Sequence, residues 1–176
     1  MYLIINYFQV KAYLSYIKTE KYCYAADPVD HKKLTFDQSG GQNGIWRNEA
    51  TGAEYEKPNY KYCLQIKVDD YTGGKYAIAF NKEDQAQVIV GYTANELKEM
   101  DTNAGDCEMT CERVIEILEV AQYKQFNFCL MVDSHSQQSE NLLLPFEKSC
   151  QIFRCQKIEY ASENAKLIEG IEQYNM

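Results

Sequence analysis

The sequence predicts a mainly-β fold: a five-stranded barrel with a long insertion near its start and an added C-terminal helix. Three observations predict it. Residues 60–68, YKYCLQIKV, alternate apolar and polar side chains at the period of a strand. After Thr72-Gly73-Gly74, the stretch KYAIAF returns as the second arm of a hairpin. The tail, ASENAKLIEGIEQY, switches to helical spacing.

Taken in order, QVKAYLSYIK at 9–18 reads as the first strand, with Val10, Ala12, Leu14 and Tyr16 on one side. Residues 22–59 are punctuated by Asp27-Pro28, Ser39-Gly40-Gly41, Asn43-Gly44 and Lys57-Pro58. This segment is too long for a simple loop and too poor in apolar residues for its own core, so it reads as an appendage stabilised by the barrel. In the second strand Tyr60, Tyr62, Leu64, Ile66 and Val68 share the buried face, and Lys61, Cys63, Gln65 and Lys67 the polar one. In the third, Ala77 and Ala79 share one face, and Tyr76, Ile78 and Phe80 the other.

Residues 93–121 read as helical. Thr93 and Glu96 form a capping box ahead of Leu97 and Met100. After Asn103-Ala104-Gly105, a second helix carries Cys107, Cys111, Val114, Ile115 and Leu118 on one face. Phe126, Phe128, Leu130 and Val132 alternate in the fourth strand, and the loop DSHSQQSENLLLP leads to a last strand at CQIFRCQKI. Five strands, a helix between the third and fourth, and an insertion between the first and second make the element order of an OB-fold. The expected division is an OB-fold domain over 1–160, containing the insertion 22–59, and an amphipathic helix over 161–176.

The chain of 176 residues is long enough for one real core. No apolar run approaches a membrane span, and MYLIINYFQVK is too short and polar for a signal peptide, so no membrane partner is expected. Seven cysteines, an odd number without framework spacing, read as reduced intracellular thiols. A net charge of −8 argues by itself against a phosphate backbone, so the placement of individual lysines decides the matter. No nucleophile–base–acid set, phosphate loop or paired-carboxylate motif stands out and there are two histidines, which predicts no enzyme.

Specific residues carry a resemblance. GIWRNEATGAEYEKPNYKYCLQIKVDDYTGGKYAIAFNKEDQAQVIVG at 44–91, NYF at 6–8, YIKTE at 16–20 and FNFCLMV at 126–132 are similar to the C-terminal DNA-binding domain of the replication protein A large subunit. The resemblance covers residues 7–160 and implies an OB-fold with a zinc ribbon between its first two strands. The ribbon's ligand positions fall on Asp27 and on Asp30 or His31, then on Asn48 and Thr51, and none is a cysteine. A structural zinc needs four good ligands, usually thiolate or imidazole. The expectation is therefore a zinc-ribbon-like insertion lacking its metal ligands, with no metal and no cofactor, steadied by Phe36, Trp46 and Tyr55.

The resemblance also implies a single-stranded DNA partner, with Tyr76 and Phe80 at the stacking positions. Alternation agrees if the alanines of that strand point inward; burial of both rings in the core is the competing reading. Lys61, Lys67, Lys75 and Lys82 offer cations, Phe146 reads equally as closing the groove or as anchoring its own loop, and His135 reads as an ordinary loop residue. In the tail, a helix starting near Ser162 puts Ala165, Leu167, Ile168 and Ile171 in an apolar stripe. The resemblance implies that this stripe docks with the smaller OB-fold subunits of a heterotrimer; the alternative is that it packs on its own barrel. Within the family the chain is most similar to the telomerase-associated branch of ciliates. That implies G-rich telomeric single strands and the telomerase holoenzyme as partners, a role in processivity, and a nuclear, telomeric location. The rival reading is a protein-interaction OB domain with little DNA affinity.

Overall fold

The computed structural model describes residues 5–38, 44–80, 85–103, 110–133 and 150–174. Two long strands, β1 (Ile5–Ile17) and β6 (Asn59–Asp70), run antiparallel and share a seam. Between them lie β2 (Cys23–Ala26), β3 (Thr35–Asp37), β4 (Ile45–Arg47) and β5 (Glu54–Tyr55). The chain continues through β7 (Gly73–Phe80), α1 (Gln85–Val90), α2 (Ala94–Asn103) and α3 (Glu112–Glu119). It ends with β8 (Gln125–Asp133), β9 (Cys150–Lys157) and α4 (Tyr160–Tyr174).

The five expected barrel strands are present. Antiparallel pairing joins β6 to β7, β6 to β1, β1 to β8 and β8 to β9. The barrel is not fully closed, because β7 and β9 meet through one parallel bridge, Ile78 to Gln151. Period-two alternation makes the interior: Tyr62, Leu64, Ile66 and Val68 of β6, Ala77 and Ala79 of β7, and Phe126, Phe128 and Leu130 of β8 are all buried. Leu97 of α2 with Val114 and Leu118 of α3 cover this core. Each such aliphatic side chain contributes about 1.5–3 kcal/mol on burial.

Several expectations shift. Tyr16 does not share the face of Ala12 and Leu14. A bulge between Leu14 and Tyr16 adds one residue, Ser15, which reverses the parity of the residues after it. Tyr16 is consequently exposed and Ile17 buried. The segment 22–59 is not all appendage either. β2 pairs with β6 from Cys23↔Tyr62 to Ala26↔Asn59 and belongs to the main sheet, while β3, β4 and β5 form a separate three-stranded sheet. α1 has no counterpart in the sequence reading, since six residues are too few for a helical period to register. It lies against β9, and the Gln85 side-chain amide donates to the Phe153 carbonyl.

The capping box forms as expected: the Thr93 N–H and hydroxyl both donate to Glu96 Oε2, at 2.7 and 2.8 Å, and the Glu96 N–H donates back to Thr93 Oγ1 at 3.2 Å. Of the second helix, α3 begins after Cys111, and Cys107 lies outside the described residues. α4 begins at Tyr160, ahead of Ser162, because the Glu159 carbonyl already accepts the Glu163 N–H at 3.0 Å. Ser162 therefore stands inside the first turn and is not the cap.

Candidate nucleic-acid interface

The register of β1, β6 and β7 composes a single outer face in rows. Tyr16 of β1 pairs with Lys67 of β6, and Lys67 pairs with Tyr76 of β7, so a lysine stands between two tyrosines. The next rows on this face are Gln65 with Ile78, and Cys63 with Phe80. Beyond them Lys61 pairs with Tyr24 of β2. Lys18 joins the edge, its N–H donating to the Gln65 carbonyl at 2.9 Å. Tyr76 and Phe80 are four residues apart on one strand, ~13 Å along it, so they address different bases and not one.

Ala77 and Ala79 are fully buried, while Tyr76 and Phe80 are half-buried on the opposite face. The competing placement of both rings in the core is thus not what the fold adopts. Lys61 and Lys67 share the face of the rings and are half-buried. Lys75 does not share it. It pairs with Val68 on the alanine side of β7 and, exposed, lines the barrel mouth with Val10, Thr72 and Leu130. Counting lysines near the hairpin missed this parity. Phe146, Lys82 and His135 lie outside the described residues.

The charge on this face is moderated. Lys67 Nζ and Asp69 Oδ1 form an ion pair at 2.9 Å, and this bond raises the lysine's pKa above its ordinary value. Burial opposes ionisation of Asp69, yet hydrogen bonds from Ser15 and Lys67 outweigh it and hold its pKa below the usual carboxylate range. Gly74 sits opposite Asp69, where a Cβ would run into the Asp69 carboxylate and the Lys67 stem, so a glycine leaves room for the pair. Asp70 is committed to the β6–β7 turn, accepting from the Thr72 N–H and hydroxyl and from the Gly73 N–H.

Two tyrosines of this face, Tyr16 and Tyr24, escaped sequence reasoning. The one signal for Tyr16 was the pair Tyr13 and Tyr16, three apart, a spacing that a regular strand cannot keep on one face. Both are exposed, 50% and 42%, which the bulge explains.

A separate surface lies on α4. Leu167, Ile168 and Ile171 are 63%, 57% and 61% exposed, so the stripe is not packed on its own barrel. The helix is tied down by Lys11 Nζ to Glu163 Oε2 at 2.8 Å. Such an exposed pair contributes little, about 0–1 kcal/mol.

For catalysis the geometry offers little. Among the described residues no group of three or more His, Cys, Asp or Glu side chains converges. Burial pushes the Cys23 thiol up to about 11 and Cys155 up to about 12, so neither is a thiolate nucleophile at neutral pH. No described helix is long and apolar enough to cross a membrane.

The family model "Replication factor-A C terminal domain" matches residues 7–167. Among curated relatives, "Replication factor A protein 1" of Schizosaccharomyces pombe is 35% identical over 107 residues, covering 60% of this chain and 17% of the relative. A replication protein A 70 kDa DNA-binding subunit of Oryza sativa subsp. japonica is 25% identical over 171 residues, covering 95% of this chain and 17% of the relative. The chain thus spans under a fifth of these relatives' length. Two solved structures share the fold at 23% identity. One, of a replication protein A heterotrimer bound to ssDNA, has a TM-score of 0.72 and matches 97% of this chain and 36% of that one. The other, yeast RPA bound to ssDNA, has a TM-score of 0.70 and matches 96% of this chain and 86% of that one.

Proposed function

Because this chain belongs to the replication factor-A C-terminal domain family, we propose that it binds single-stranded DNA across the β1–β6–β7 face and joins smaller OB-fold subunits through α4. One observation carries the first half: the row Tyr16–Lys67–Tyr76, continued along β7 to Phe80. Each base offers a flat face, and stacking on an aromatic ring contributes about 1–3 kcal/mol per base. The backbone between bases asks for cations, and among the described residues Lys67, Lys61 and Lys18 lie on or beside that face. The exposed stripe of Leu167, Ile168 and Ile171 supports the second half, since water-facing leucine and isoleucine at helical spacing favour a partner.

The finer reading is a telomeric one: a G-rich single strand as ligand, the telomerase holoenzyme as assembly, and the telomere in the nucleus as location. Its support is the ligand-free insertion, read as a zinc ribbon without its cysteines, which sets the chain apart from the family pattern and suits a specialised paralogue. The domain's part is to bind and hold the strand; no catalysis is assigned to it.

The test is fluorescence anisotropy with short labelled strands, one G-rich telomeric and one scrambled, at two salt concentrations. Binding that weakens with salt supports the DNA reading, and preference for the telomeric strand supports its finer form. Equal binding of both strands removes the telomeric form alone. Absence of binding to either at low salt overturns the DNA reading. A protein-interaction domain would then stand in its place, which the Lys67–Asp69 pairing and the net charge of −8 already favour in part.

A further inference from the structure

The insertion has two tight turns, 27–32 and 48–53, at the positions where the family resemblance expects zinc ligands. Of the candidate ligands, Asp27 and Asn48 are buried, 2% and 1% exposed, while Asp30, His31 and Thr51 face solvent. Each buried residue first organises its own turn. Asp27 Oδ1 accepts from the Val29 N–H at 2.7 Å and the Asp30 N–H at 3.3 Å. Asn48 Oδ1 accepts from the Ala50 N–H at 3.0 Å and the Thr51 N–H at 3.3 Å. Those two bonds fix which end of the Asn48 amide is oxygen.

The Asn48 nitrogen is thereby aimed across the gap. Its Nδ2 donates to Asp27 Oδ2 at 2.7 Å and approaches both Asp30 oxygens at 3.4 Å. The Tyr55 hydroxyl donates to the same Asp27 Oδ2 at 3.0 Å. His31 turns outward, with its Nδ1 3.3 Å from the Asp27 carbonyl. This set does not fit a metal. A cation needs lone pairs directed at one point, and here an amide N–H occupies that point.

We propose that the direct Asp27–Asn48 hydrogen bond, backed by Tyr55, closes the two turns in place of a metal and makes the insertion a metal-free clamp. The clamp has a position that matters. Asp27 directly follows β2, whose Tyr24 pairs with Lys61 at the edge of the candidate interface. On the other side, β4 carries Trp46, which packs on Phe36 at 4.9 Å and reaches Tyr60 of β6 at 6.5 Å between ring centroids. The node thus ties the small sheet to β6 through both ends of the insertion.

Trp46 is the chain's one tryptophan, so its fluorescence reports local melting of the insertion apart from the barrel. The experiment uses the full chain with amide exchange over 27–55 and Trp46 emission as readouts. In the unmodified protein, a strong chelator and added zinc should each leave both readouts unchanged, with well under one zinc per chain by elemental analysis. Asn48→Ala and Asp27→Asn should each lower exchange protection in the insertion by about ten- to a hundred-fold, the worth of a buried hydrogen bond to a charged group. The reciprocal exchange, Asp27→Asn with Asn48→Asp, restores one carboxylate facing one amide and should recover most of that loss. One zinc per chain whose removal melts the insertion overturns the proposal. So does a reciprocal variant no better protected than the single ones. The chelator and zinc arms need no variant, so they decide even if a substituted chain fails to fold.

Discussion

Ser15 occupies the bulge in β1 and its hydroxyl bonds both Asp69 and the Lys67 carbonyl, so one small residue turns Tyr16 outward and fixes the acid beside the lysine. The groove's affinity then depends on which partner Lys67 prefers. A phosphate must compete with Asp69, so Lys67→Gln should reduce the salt dependence of binding by less than one full phosphate's worth. Asp69→Asn frees the ammonium and should tighten binding while steepening that slope; measured isotherms at three salt concentrations decide it, and an unchanged slope refutes the competition. Tyr76→Ala, Phe80→Ala and Tyr16→Ala should each cost about 1–3 kcal/mol of binding with the circular dichroism spectrum unchanged. Loss of fold in place of loss of binding would mean that these rings support the barrel and do not stack on bases. In the insertion, Asn48 first, then backbone N–H groups and the Tyr55 hydroxyl hold the Asp27 carboxyl down to about 2, against an opposing effect of burial. Its stabilising charge is fully present above the usual carboxylate value near 4 and is lost as pH falls from there through the folded pKa. Asp30, held low first by the Lys32 N–H, titrates in the same direction. Trp46 emission should therefore change between about pH 4 and 2, and a flat signal across that window contradicts the assignment.

At the scale of elements, α4 makes the plainest separation of roles. Changing Leu167, Ile168 and Ile171 together to polar residues alters a surface already in water, so stability should stay within about 0.5 kcal/mol. Assembly with small OB-fold subunits should be abolished and intrinsic DNA binding spared, as read by pull-down and anisotropy on the same preparation; assembly that survives the triple change rules out α4 as the docking helix. The stripe was legible because helical period and apolar type coincide, and alternation likewise marked Tyr62, Leu64, Ile66 and Val68 of β6 and Phe126, Phe128 and Leu130 of β8 as buried, while in β7 it left the choice of face open. The features that escaped are ones that period cannot encode. A bulge changes parity without changing composition, which hid Tyr16; Lys75 was different, since regular alternation with Ala77 and Ala79 already put it on the alanine side of β7. The short α1 gives too few residues for a period, and β2 looked like loop because its four residues gain their meaning only by pairing with β6. That no cysteine stands at 27, 30, 31, 48 or 51 was readable. The bond that joins Asp27 to Asn48 was not, since 21 residues separate them and nothing local points one at the other.

For the whole molecule the opposed charges matter most. The net charge is −8, while the candidate face presents Lys61 and Lys67 with Lys18 at its edge, and one of these is paired to an acid. At low ionic strength, where the Debye length reaches about 30 Å at 0.01 M salt, a polyanion approaching from a distance meets the summed charge of the surface. Once seated, it meets only the local lysines and rings. Salt should then act on the two rates with opposed consequences for affinity. Adding salt at low ionic strength screens the repulsion between protein and DNA and should raise the association rate, or leave it flat, where a basic DNA-binding protein would show a steep fall. The same salt loosens lysine–phosphate contacts and should raise the dissociation rate. Affinity still declines, but through dissociation, with the stacking contribution of Tyr76 and Phe80 largely unaffected. Stopped-flow measurement of both rates from about 20 to 200 mM salt tests this. An association rate that falls steeply across that range would mean that the local positive field of β6 outweighs the global charge, and the picture of a groove reached against repulsion would have to be abandoned.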